Sequence, residues 1–139
     1  MKHEDIVNLI ARSAELPTRR RAEQAMRAVL ETLAEQVGAS AARGLAERLP
    51  LETSVYLHDV TAPSHHPSRD VDGFLDRVGG RLAVTRPDAI RISRAVISIV
   101  TLVAGEDRTK ELRESLPPSW RDIFEHRRFY PIPPAPPPA

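Results

Sequence analysis

His58, Asp59, His65 and His66 stand close together in the sequence. Imidazole nitrogens beside a carboxylate form a donor set that suits zinc, nickel or copper. Their spacing follows no zinc-ligand pattern, and the segment around them carries Pro63 and Pro67 and no apolar period that would hold ligands rigid. We carry the four as metal candidates that would take up an ion opportunistically, and the sequence calls for no cofactor. A second group is basic. Arg19, Arg20 and Arg21, with Arg12 and Arg27, could neutralise phosphates of nucleic acid or of an anionic surface. Arginines at the start of a helix oppose its dipole, so pairing with nearby acids such as Glu15 and Glu23 on a solvated face is the expectation.

Catalytic chemistry finds little to stand on. The chain has no cysteine, which removes disulfides, thiolate nucleophiles, thiolate zinc sites and iron–sulfur clusters. Gly79-Gly80 lacks the surroundings of a phosphate loop, and no nucleophile–base spacing is visible. We therefore expect a protein that is not an enzyme. The end of the sequence offers recognition instead. Six of the last nine residues are proline. Such a segment forms an extended left-handed helix that docks into aromatic grooves at small entropy cost. Arg127, Arg128, Tyr130, Pro131, Ile132, Pro133 and Pro134 are the residues expected to make that contact, from a disordered tail over 127–139.

These groups need positioning, and the organising stretch is Ala89 to Ala104. Ala89, Ile92, Val96, Ile99 and Val103 recur at helical steps, with Ile90, Ile97 and Val100 beside them. A helix apolar over most of its circumference is packed on several sides, and this one is too short and too interrupted by arginine to span a bilayer. Arg91, Arg94, Ser98 and Thr101 form its polar stripe, which we expect to face water because buried arginine is rare. Around it the chain shows short amphipathic helices. One spans Glu4–Ala14. A longer one runs from a Thr18 cap to Val37 and is stopped by Gly38. A third is capped by Ser40, and Leu51–Leu57 adds a turn or two. After a linker at 58–68, further helices cover Val71–Leu82, the central stretch behind Thr85-Arg86-Pro87-Asp88, Glu106–Leu116, and a last turn bearing Trp120, Ile123 and Phe124.

The 139 residues carry 20 basic and 19 acidic side chains, a net charge of +1 that lowers the prior for a nucleic-acid binder. Aromatic residues are 4% of the chain, too few for base-stacking platforms. The N-terminus is charged at once and has no secretory pattern, so a cytoplasmic location is expected.

The two halves repeat one another. Thr18-Arg19, Gly38, Leu45 and Leu49-Pro50 recur 67 residues later as Thr85-Arg86, Gly105, Leu112 and Leu116-Pro117. We expect an all-α bundle of two tandem three-helix repeats with pseudo-twofold symmetry, repeat one over 4–57 and repeat two over 69–126 of a domain spanning 1–126. The pattern resembles the bacterial family called domain of unknown function 2267. Phe74, Leu75, Val78, Gly105, Glu106, Leu116, Pro117 and Phe124 carry the likeness in the second half. The first half departs from it with Ile6, Ala39 and Leu57 at the corresponding places. The resemblance implies the tandem helical fold and transfers no catalytic residue. The functional expectation is an interaction or scaffold module for a protein partner or a second copy of the chain. The alternatives are a nucleic-acid or anionic-surface binder working through Arg19–Arg21 and, further off, a small metal-dependent enzyme.

Overall fold

The computed structural model describes residues 1–58 and 70–124. Most of the expected linker, with Asp59, His65 and His66, lies outside the described residues, as does the proline-rich tail with Arg127, Arg128, Tyr130 and Pro131–Pro134. Among the described residues the chain is all-helical, with no strand. Its helices are α1 (His3–Ser13), α2 (Arg19–Val37), α3 (Ala39–Ala46), α4 (Leu51–His58), α5 (Val71–Leu82), α6 (Arg86–Ala104), α7 (Glu106–Glu114) and α8 (Arg121–Phe124), with a 3-10 turn at Pro118–Trp120. His58 closes α4 rather than opening a linker.

Local chemistry explains most boundaries. The Thr18 hydroxyl accepts from the Arg21 amide at 3.0 Å, satisfying one donor that the first turn of α2 leaves free. Gly38 and Gly105 join α2 to α3 and α6 to α7 at φ 83°, ψ 167° and φ 104°, ψ 163°. That region is open essentially to glycine alone. Each joint lets one helix stop and the next start without an intervening loop. Ser40 does not cap α3; Gly38 occupies that place, and no side chain caps the helix. Thr85 likewise makes no side-chain cap, and Asp88 pairs with Arg91 at 2.6 Å instead of closing a capping box. Pro87, in the first turn of α6, gives up an amide that had no helical partner to lose.

Helix α6 lies at the centre, against α1, α2, α5, α7 and α8. Every residue from Ala95 to Thr101 is buried. Val96 and Ile99 are 0% and 1% exposed, and each such side chain contributes about 1.5–3 kcal/mol through burial. The expectation of a water-facing polar stripe fails at Ser98 and Thr101, while Arg91 and Arg94 stay half-buried. Ser98 and Thr101 are buried, and the Thr101 hydroxyl donates back to the Ile97 carbonyl at 2.6 Å. Arg91 turns inward to the end of α1, where its Nε donates to the Ala14 carbonyl at 3.0 Å. Packing on five neighbours leaves little circumference for a solvated stripe, so Thr101 and Arg91 find their acceptors within the bundle.

Candidate functional site

The described polar residue that most resembles catalytic machinery is one the sequence did not single out. His3, at the start of α1, is 9% exposed and reaches both α2 and α4. Its Nε2 lies 2.7 Å from Glu23 Oε1, and its Nδ1 lies 2.8 Å from Thr53 Oγ1. A carboxylate only accepts, so Nε2 donates to Glu23, while the direction of the Nδ1–Thr53 bond is set by the proton count of the ring. Hydroxyl, imidazole and carboxylate stand in the order that activates a nucleophile. But Thr53 is 0% exposed, so no substrate atom reaches its oxygen. The arrangement pins α1, α2 and α4 together. Partial burial and then the Glu23 carboxylate push the phenol of neighbouring Tyr56 up, with Arg27 opposing in part. The missed signal was phase: His3 stands one helical turn before buried Ile6 and Val7, on the apolar face of α1.

Within the basic edge, Arg21 bonds the backbone of another helix, while Arg19 and Arg27 lie in exposed ion pairs. Arg19 lies 3.7 Å from Glu4, and Arg21 donates to the Leu82 carbonyl at the end of α5, 2.8 Å away. Arg27 pairs with Glu31 at 3.2 Å, one helical turn on. Glu23 bonds His3. Arg20 stays exposed on the α2 surface. Further along α2, Glu35 sits between two guanidinium groups of α5, 2.6 Å from Arg81 and 3.5 Å from Arg77. Burial pulls the Arg77 guanidinium below its ordinary range, and the Glu35 charge acts against that pull. Arg48 donates to the Ala104 carbonyl at 3.1 Å and to Asp107 at 2.9 Å, tying the end of α3 to the α6–α7 joint.

Of the metal candidates, only His58 is described, exposed at the end of α4. No group of three or more His, Asp or Glu among the described residues could hold a metal ion. Two surface features among the described residues bear on binding. Leu51 and Val55, one turn apart on α4, are 77% and 44% exposed. At the other end of the chain a groove of about 380 Å³ is walled by Leu116, Pro117, Pro118, Trp120 and Phe124, with Arg113 and Arg121. Trp120 packs its other side on Phe74, ring centroids 4.6 Å apart at 52°.

The family model described as uncharacterized conserved protein, DUF2267, matches residues 3–123. The chain belongs to this family. In this member Phe74, Leu75 and Val78, which carried the likeness in α5, are all buried. Gly105 makes the α6–α7 joint, and Leu116 and Pro117 lead into the groove. A search of curated proteins finds no match to the chain. No helix among the described residues is long and apolar enough to cross a membrane.

Proposed function

We propose that this DUF2267 member is a non-enzymatic protein-interaction module built from two tandem three-helix repeats about a pseudo-twofold axis. The observation that carries the functional part is the α4 surface. Leu51 and Val55 present adjacent aliphatic side chains to solvent, where each would gain about 1.5–3 kcal/mol if fully covered. The closed His3–Thr53 pair supports a non-enzymatic reading, because the one hydroxyl–imidazole–carboxylate series described has no access for substrate. Support for the repeat comes from the elements: α2 and α6 each span 19 residues, and their first residues, Arg19 and Arg86, stand 67 apart in the sequence. The same step separates Ala39 from Glu106, the first residues of α3 and α7, and Gly38 from Gly105. Helix α1 packs on α2 and α6, and α5 on α6 and α2.

The test compares the wild-type chain with a Leu51→Glu, Val55→Glu variant in quantitative cross-linking from native lysate, with sedimentation of each protein alone. Species or self-association specific to the wild type support the reading. Identical captured sets and identical mass for two equally stable proteins refute it.

A further inference from the structure

We propose that the groove beside Trp120 is the docking site of this chain's own proline-rich segment, residues 125–139, bound in cis. This goes beyond the helix-face reading and stands without it. Phe124 is the last residue of α8 and also a wall of the groove, so the chain continues directly from the site it would fill. The next 15 residues, EHRRFYPIPPAPPPA, need no further reach. A short covalent connection gives an effective concentration on the order of millimolar, so a weak peptide–groove affinity is enough.

The chemistry of the two surfaces matches. The wall is aliphatic, proline and aromatic, with Arg113 and Arg121 beside it. A peptide buried there must leave few backbone amides without partners, and proline has none to leave. Residues 130–134, Tyr-Pro-Ile-Pro-Pro, meet that requirement while offering a ring and an aliphatic side chain. Guanidinium groups stack on aromatic faces, so the planes of Arg113 and Arg121 suit the rings of Phe129 and Tyr130. Like charge keeps Arg127 and Arg128 away from those two arginines, so the register places the aromatic–proline stretch, not the basic one, in the groove. The floor is fixed in advance, because Trp120 is held against Phe74.

Trp120 is the only tryptophan in the sequence, so its fluorescence reports on the groove without interference. Three proteins are compared: the full chain, a chain ending at Phe124, and a full-length Tyr130→Ser, Ile132→Ser variant that keeps the tail's length and charge. Docking in cis predicts that both altered chains show red-shifted emission and faster acrylamide quenching than the full chain, independent of protein concentration. A synthetic peptide of residues 125–139 at millimolar concentration should reverse both changes in the truncated chain. Should the truncated chain fail to fold, the full-length variant gives the same reading by itself. Unchanged emission and quenching in the full-length variant overturn the proposal. So does a wild-type signal that weakens on dilution together with a dimeric mass, which would make a second copy the occupant.

Discussion

Arg91 of α6 donates from Nε to the carbonyl oxygen of Ala14, 3.0 Å away and 77 residues earlier in the chain. The contact satisfies an acceptor that α1 leaves open at its C-terminal end and places a cation where the helix dipole favours one. Arg21 of α2 does the same for Leu82 at the end of α5, and Arg48 does it for Ala104 at the end of α6. Three helix ends thus depend on arginines supplied from distant sequence. The basic residues that invite a phosphate-binding reading are in part structural caps.

Replacing Arg91 with Met should therefore destabilise the protein without touching its surface charge pattern elsewhere. Arg91 is partly exposed, so the loss should be about 1 kcal/mol, that of an ordinary hydrogen bond and below the value for a fully buried charged donor. Urea denaturation measures it. An unchanged midpoint with an unchanged slope would mean that water caps α1 as well as Arg91 does.

Backbone conformation, not space, should decide how the glycines tolerate a methyl group. A Cβ at Gly38 would meet nothing within 4 Å, yet Gly38→Ala should cost about 1–3 kcal/mol because alanine is strained at φ 83°. Gly44 lies where α3 and α7 approach, and a Cβ there would come within 3.0 Å of the ends of the Arg108 and Glu111 side chains. Those side chains can move, so Gly44→Ala should be near neutral, or gain up to about 1 kcal/mol of helix propensity. Thermal melts that reverse this order would contradict the argument.

The His3–Thr53 pair is open to a double-mutant cycle. His3→Ala leaves a buried hydroxyl that has lost its partner, and about 1–3 kcal/mol should go with it. Thr53→Val removes the hydroxyl and keeps the shape. If the two side chains act together, the double variant should be more stable than the sum of the single losses predicts, by about 0.5 kcal/mol or more. Strict additivity would show that the bond contributes little.

Acid should loosen the joint between α3 and α7. The hydrogen bond from Arg48 holds the Asp107 carboxyl below its ordinary range, with burial acting weakly in the other direction. A carboxyl lowered in the folded state stabilises that state above its unfolded value, about 3.9, and loses the contribution as pH falls through the lowered folded value. Asp107→Asn should flatten that part of the stability–pH curve below about pH 4 and leave the curve near neutrality parallel to that of the wild type. Identical acid limbs in the two proteins would remove Asp107 from the account.

Much of the bundle follows from local pattern. Apolar residues three and four apart give α1, α2, α5 and α6 because that spacing places them on one face, and such a face is stable only when covered. Gly38 and Gly105 mark helix joints because few other residues accept their backbone angles. The residues behind the family likeness were equally legible, since they are core and joint residues whose type is set by burial or by φ. What the sequence could not decide is where each polar group finds its partner. Ser98 and Thr101 read as part of a solvated stripe when α6 is taken alone, and five neighbouring helices bury them. His3 has nothing near it in sequence to mark its partners, which stand 20 and 50 residues away. Periodicity reports which face of a helix is covered. Only the tertiary structure decides which carbonyl, carboxylate or hydroxyl meets each side chain there, because burial removes the water that would otherwise have satisfied it.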